Sequence, residues 1–480
     1  MSTLPVAVEG VAVVPVGTDE ELAGPATVEV VAPVKRQERV SAIDTLRGFA
    51  LMGILIMNIC SFGLSTGQYL FPLSTPKPVF SGPHATANTV VWFLRWIIAE
   101  GKMRALFSML FGAGVILLTQ RAEERGAGVK VADVFVRRNM WLVLFGMLHA
   151  YFIWDGDILF YYGTSALLFL FPFRNVRAKR LIWVASIVLF LNAVVVDFGA
   201  QTMLPFSFHK KGVEARQAYA KNHVVTKEQR EAIDADDKSE GRWRPSAKTM
   251  YEDIAAEQKG YWSAQGHNAK DVLQGELKGA YFGFGDWFGM MLLGMALYKN
   301  GFLPGKLSTK VYVWSAVIGL GIAWPLISVG CYEAWKSHFD SVKTSFWLNA
   351  PYTIGRVSGA IGNAAVILLL LRAGVMKWLM KAVSNVGQMA LSNYLLTSFS
   401  MRMLFVWSPL KWYGYMEYYK LYWVVLCVWI VNMVWSTVWL KYFEFGPMEW
   451  VWRSLTYWKR QPMRRKALEE AVLTEHLTAA

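Results

Sequence analysis

Long apolar runs alternate with short polar connections along almost the whole chain. Each run is close to the roughly 20 residues that a bilayer core about 30 Å thick requires, because a spanning segment must satisfy its own backbone groups. Runs of this kind fall at 43–63, 104–120, 139–155, 158–173, 181–198, 281–299, 311–332, 347–371, 384–406 and 421–441. The pattern predicts an all-α fold, a polytopic transmembrane bundle of about ten spanning helices. One long polar stretch interrupts it at 199–280, where motifs such as KEQREAIDADDKSEGR predict short amphipathic helices. That insertion is expected on the extracytoplasmic side, either as a lid over the bundle or as a solvated spacer.

Charge fixes the orientation. Lys and Arg cluster at 35–39, at 121–138 (Arg121, Arg125, Lys130, Arg137 and Arg138), at 174–180, at 299–310, at 372–381 and at 459–466. These clusters share one side if 88–100, which is apolar but short and carries Arg95, is an interfacial or re-entrant helix leading into the second span. The positive-inside rule then places both termini in the cytoplasm of a bacterial inner membrane. The expected organisation is a disordered tail at 1–38, a membrane module at 39–198, the insertion at 199–280, a second module at 281–458 and a basic tail at 459–480.

Only 18% of the 480 residues are charged, against about a quarter in soluble domains, which excludes one large soluble enzyme. The net charge of +14 sits in loop clusters and not along a polar face, so the expected partner is the lipid bilayer and not nucleic acid. Cys60, Cys331 and Cys427 lie in or beside apolar runs with no CxxC pair, and neither a zinc site nor any other metal is expected. Aromatic groups such as KWYGYMEYYKLYW read as interfacial belts.

Ionisable groups within spans are costly and mark candidate sites. Asp44 and Arg47, three residues apart, share a helical face, where they can pair either as a structural tie or in a functional role. In FGMLHAYFIWDGDILFYYG, His149 precedes Asp155 and Asp157 at the outer end of the third span, as a general base or proton relay requires. The alternative for His149 is a structural hydrogen bond between helices. His84 lies in an outer loop. Lys102, Arg104, Asp286, Arg356, Asn363, Ser392 and Asn393 complete the candidates, with Arg104 and Arg356 suited to a carboxylate or phosphate. No GxSxG, HExxH, Walker A or Rossmann motif appears in the required context.

From Arg39 to Arg465 the chain resembles the YeiB-like family of bacterial membrane proteins, built from domains of unknown function and grouped with transmembrane acyltransferases. The motifs that carry this are RVSAIDTLRGFALMGILIMNI, GKMRALFSMLFGAG, LHAYFIWDGDIL, GQMALSNYLL and FEFGPMEWVWRSLTYWKRQPMRR. The resemblance implies transfer of an acyl group from acyl-CoA or a lipid donor to a cell-envelope or exported acceptor. It implies catalysis by His149, with Asp157 orienting it, Asp155 nearby, and Asp44 with Arg47 in support. Substrate-binding residues are expected among Arg47, His84, Lys102, Arg104, Asp286, Arg356, Ser392 and Asn393. Acyl-CoA would be a co-substrate and no cofactor would be held tightly; a homodimer is the candidate assembly. Because CoA is cytoplasmic and His149 lies toward the outer half, this reading requires a central cavity reachable from both faces. A proton-coupled exporter of a small or amphipathic molecule is the alternative, and a lipid-binding scaffold with a basic tail is a third.

Overall fold

The computed structural model describes residues 41–65, 80, 82–124, 126, 130–243, 245–407 and 409–464. The expected tail at 1–38 lies outside them, as does the second tail from residue 465 onward. Within the described residues the chain is helical and contains no β-strand, only an isolated bridge between Phe443 and Arg464.

In chain order the helices are α1 (Ser41–Gly63), α2 (Ala85–Leu94), α3 (Lys102–Glu124), α4 (Lys130–Phe152), α5 (Leu159–Ser165) and α6 (Ala178–Asn192). The polar insertion forms α7 (Leu204–Asn222), α8 (Lys227–Trp243), α9 (Ala247–Gln258) and α10 (Tyr261–Phe282). There follow α11 (Phe284–Lys299), α12 (Thr309–Lys336), α13 (Tyr352–Ala373), α14 (Lys377–Gln388), α15 (Ala390–Arg402), α16 (Leu421–Tyr442) and α17 (Pro447–Tyr457).

Among the described residues six stretches, against about ten expected, are long and apolar enough to cross a membrane: Ser41–Gly63, Ala85–Glu124, Ala178–Asn222, Thr309–Lys336, Tyr352–Ala373 and Tyr418–Tyr442. The other expected spans are helical, and each departs from a plain spanning helix for a local reason. α4 opens with Lys130, Asp133, Arg137 and Arg138, the stretch after α5 passes into π and 3-10 turns, α11 has 16 residues, and Met389 interrupts the run from α14 to α15. Between α2 and α3 the chain turns at Gly101, whose φ of +69° favours glycine, and an added Cβ would stand 2.5 Å from the Tyr352 hydroxyl.

Burial sorts the helices into a centre and a rim. In α1, 72% of the apolar window is buried, against 22% in α12 and in the stretch containing α16, so α1 is central and the others present apolar faces outward. Close crossings at small residues hold the centre together. A Cβ on Gly112 would collide with the Met291 carbonyl and one on Gly294 with the Met109 carbonyl, so α3 and α11 touch backbone to backbone. α1 and α14 meet in the same manner through Gly48 and Gly387.

The insertion divides by its contacts. α7 and α8 are tied to each other by Arg216, which pairs with Asp236 and Asp237 at 2.5 Å each. α9 and α10 instead dock on the bundle, around the end of α4. Tyr261 Oη donates to Phe152 O at 3.0 Å, Gln265 Nε2 to Tyr151 O at 2.9 Å, and Gln258 Nε2 to Tyr413 O at 2.9 Å. A buried ion pair of 2.7 Å joins Glu257 of α9 to Arg402 of α15. At Glu276 of α10 burial raises the carboxyl above its usual range, while the Tyr151 hydroxyl donates to it at 3.2 Å. This half of the insertion thus covers the bundle end that holds the His149 turn.

Candidate functional site

α4 ends beside a sharp turn through Gly156, and α5 returns against it, which folds Asp157 back onto the last turns of α4. The return needs Gly146, because a Cβ there would strike the Phe160 backbone nitrogen and stand 2.8 Å from Asp157 Oδ2. His149 Nδ1 consequently lies 2.9 Å from Asp157 Oδ1, with both residues buried. The second carboxylate oxygen accepts the Phe160 N–H at 2.7 Å. A carboxylate facing Nδ1 holds the ring proton there and leaves Nε2 with the lone pair. Nε2 is buried and has no hydrogen-bond partner among the described residues, which calls for an explanation in a folded protein. The Tyr394 ring of α15 packs beside the imidazole at 5.0 Å between centroids, and Trp154 meets it edge-on at 6.2 Å.

Two cavities meet at this point. The first, of about 210 Å³, carries Asp44, Arg47, Arg138, Glu449 and Arg453 among apolar side chains of α1, α3 and α4. The second, of about 270 Å³, is lined by Asp157, Arg104, Asp286 and Tyr161. Tyr394, Ile54 and Ile158 belong to the walls of both. His149 lines neither cavity directly; it reaches them through Asp157 and Tyr394.

The other expected residues separate into distinct groups. Asp44 and Arg47 pair at 3.0 Å within the first cavity. Asp286 Oδ2 receives Arg104 at 2.7 Å and Arg356 at 2.6 Å, which places both arginines on one acid beside the second cavity. This cluster extends through Thr353, which accepts from Arg356 Nη2 at 3.1 Å and donates to Asp197 Oδ2 at 2.5 Å. Lys102 is buried away from both cavities, and its Nζ donates to Trp96 O at 2.8 Å and Glu100 O at 3.3 Å. Ser392 donates to Glu449 Oε2 at 2.5 Å, while Glu449 Oε1 accepts the amides of Leu391 and Ser392, capping α15 with a carboxylate. Asn393 bridges Val386 O at 3.1 Å and Ser436 Oγ at 2.9 Å. Asn363 donates to Ile98 O at 3.3 Å. Asp155 is exposed on the His149 turn, on the side of the Arg402–Glu257 pair.

His84 stands apart, on the surface. Its Nδ1 lies 2.8 Å from Glu417 Oε2, and Lys420 Nζ donates to the other oxygen at 2.9 Å. The Lys420 bond first, and His84 after it, hold the Glu417 carboxyl below the usual range.

Several site residues carried no usable signal along the chain. Tyr394 lies within the motif LSNYLL but is an apolar-looking position until α15 is set against α4. Arg138 reads as one of the basic loop residues, and Arg453 lies 315 positions further on. Asp197 was not among the expected residues, although an acid inside the apolar run 181–198 is a signal that could have found it; through Thr353 and Arg356 it belongs with Asp286.

These features define a class: a helical bundle with membrane-length apolar segments, enclosing a buried histidine–aspartate pair where two polar-lined cavities meet. The chain belongs to the family of YeiB and YxaH. It is 30% identical over 440 residues to "Uncharacterized protein YxaH" of Bacillus subtilis, covering 90% of this chain and 98% of that one. With "Uncharacterized protein YeiB" of Escherichia coli it shares 28% over 431 residues, 87% of this chain and 96% of the other. An "Uncharacterized 39.9 kDa protein in amylase 3'region" of Bacillus acidopullulyticus is 25% identical over 434 residues, with 90% and 98% covered. Residues 297–459 match the family described as "Protein of unknown function (DUF418)". No solved structure matches.

Proposed function

We propose that this protein is a membrane-bound acyltransferase with His149 as its general base, set in the bacterial inner membrane with both termini cytoplasmic and about ten crossings once the shorter helices are counted. The observation that carries the reading is His149 itself. Asp157 fixes one ring nitrogen and the other has no hydrogen-bond partner among the described residues. A buried, oriented imidazole with a free lone pair is the arrangement that general-base catalysis uses.

In the proposed reaction an acceptor hydroxyl attacks the carbonyl carbon of an acyl thioester, with acyl-CoA as the donor. Once the Tyr394 ring, which separates the imidazole from the cavities, turns aside, His149 Nε2 takes the hydroxyl proton as the new C–O bond forms. The C–S bond then breaks, and the departing thiolate takes the proton from the imidazolium. An ester and a free thiol result, and the histidine returns neutral. Asp157 stabilises the transient imidazolium. Donor and acceptor arrive from opposite faces, one through each cavity, and Tyr394 stands where the two meet. The acceptor is a cell-envelope glycan, a lipid or an exported small molecule.

Membrane vesicles given radiolabelled acyl-CoA should accumulate label in an ester-linked product. His149→Ala should lower this by about 100-fold or more, the scale of a general base. Label incorporation unchanged in His149→Ala would overturn the assignment.

The cluster of Asp197, Thr353, Arg356, Asp286 and Arg104 favours a second reading, a proton-coupled exporter, because intramembrane acids of this kind serve proton paths. Proteoliposomes distinguish the two: an exporter moves substrate with a proton gradient whether or not acyl-CoA is present.

A further inference from the structure

The first cavity has a feature that neither proton transfer nor helix packing explains: three arginines line one end of a space whose remaining walls are mostly apolar. Arg47 comes from α1, Arg138 from α4 and Arg453 from α17. Two carboxylates share the cavity, and each is already engaged. Asp44 pairs with Arg47 at 3.0 Å, and Glu449 accepts from two α15 amides and the Ser392 hydroxyl. Arg138 lies over the Trp452 ring with its guanidinium carbon 3.8 Å from the centroid, a stacking that leaves the planar edge of the fork for a ligand. Arg453 lies over the Phe445 ring at 4.6 Å. Three arginines against two carboxylates leave the cavity lining with an excess of positive charge, which favours an anion, and guanidinium groups suit the oxygens of a phosphate.

Away from the arginines the character changes. Along α1 the lining runs from Asp44 to Ile54, and along α3 from Phe107 to Leu118. At 1.5 Å per residue each stretch is about 15 Å long. Leu51, Leu110, Phe111, Phe135 and Leu142 supply its walls, and its far end is Tyr394, beside His149. The volume, about 210 Å³, is far above the roughly 10–15 Å³ that one water needs, and an apolar wall suits a hydrocarbon chain better than water.

We infer that this cavity binds a phosphate-bearing acyl amphiphile, with its phosphate at Arg138 and Arg453 and its acyl chain laid along α1 and α3 toward Tyr394. The assignment of this ligand as the acyl donor rests on the transfer reading; the binding site itself does not. Two sources offer the same chemistry: a long-chain acyl-CoA from solution and an acidic phospholipid from the bilayer.

The full-length protein in neutral detergent tests this with palmitoyl-CoA and with phosphatidylglycerol, each titrated by native mass spectrometry. Binding of either supports the site, and the tighter of the two identifies the source. Replacing both arginines, Arg138→Gln with Arg453→Gln, should weaken binding by about 10-fold or more, while Arg138→Lys with Arg453→Lys retains part of it. Equal binding by the wild type and the glutamine double variant would overturn the site, as would equal binding of an uncharged palmitoyl amide. A wild-type measurement needs no variant to fold: palmitoyl-CoA with a photoreactive group at the chain end should crosslink near Leu51, Leu110 or Leu142. Crosslinks confined to the outer rim would also overturn it. Arginine-dependent binding without any transfer keeps the site and removes the transfer reading; transfer that survives loss of both arginines does the reverse.

Discussion

Asp157 and Asp286 are buried to nearly the same degree, 6% and 7% exposed, yet their surroundings assign them different work. Asp157 faces a single histidine, whose imidazole offers two nitrogens, so the acid engages one and leaves the other without a partner among the described residues. Asp286 faces Arg104 and Arg356, whose guanidinium groups only donate, so it ties two neighbouring helices to its own. Burial alone does not mark a reactive carboxylate. The partner decides whether the group is a switch or a rivet.

Removing the rivet should have the largest effect. Asp286→Ala leaves one buried guanidinium, Arg356, and one half-buried, Arg104, without their shared counterion, at a cost of about 3–5 kcal/mol. The thermal midpoint of the detergent-solubilised protein should fall sharply, and Arg104→Met in the same chain should restore part of the loss. A midpoint unchanged in Asp286→Ala would remove the contrast. Next comes Gly146→Ala, whose methyl group meets the Phe160 nitrogen and Asp157 Oδ2, with an expected cost of about 1–3 kcal/mol from overpacking. Because the same shift pulls Asp157 from His149, transfer activity should fall further than stability does.

Asp157→Asn sharpens the comparison from the other side. It should lower stability by only about 1 kcal/mol, the scale of one hydrogen bond, while His149 loses the group that holds its tautomer. The pH profile of transfer should then shift or collapse with the midpoint almost unmoved. Smallest of all is the surface cluster of His84, Glu417 and Lys420. Its carboxyl is held below the usual range in the folded protein, so its contribution is complete above the ordinary glutamate pKa and fades as pH falls through the folded value. A small acid-side drop in midpoint should vanish in Glu417→Gln.

The helices were legible because apolar runs of membrane length leave little choice of secondary structure, and His149 was legible because a histidine inside such a run is rare. What the runs do not carry is which helices touch. His84 and Glu417 are 333 positions apart, and Arg104 and Asp286 are 182 apart; no spacing rule joins them. Arg138 carries a second difficulty: a basic residue at a membrane boundary fits the topology rule fully, so nothing in the sequence asks for another role. The count of about ten spans is met only in part, by six stretches of spanning length among the described residues, for a related reason: polar ends such as Lys130–Arg138 and breaks such as Met389 blur a segment that periodicity alone reads as one helix.

The glycine crossings make stiff joints at the centre of the bundle. Where α3 meets α11 at Gly112 and Gly294, and α1 meets α14 at Gly48 and Gly387, main chains rest against each other with no side chain between to act as a bearing. Such joints resist the collective tilting that takes microseconds to milliseconds in proteins with hinged halves. Under the transfer reading, passage between the two cavities would fall to the side chains of their common wall, Ile54, Ile158 and Tyr394. The slow step of a turnover would then be arrival or departure of the amphiphile and not a rocking of the whole bundle.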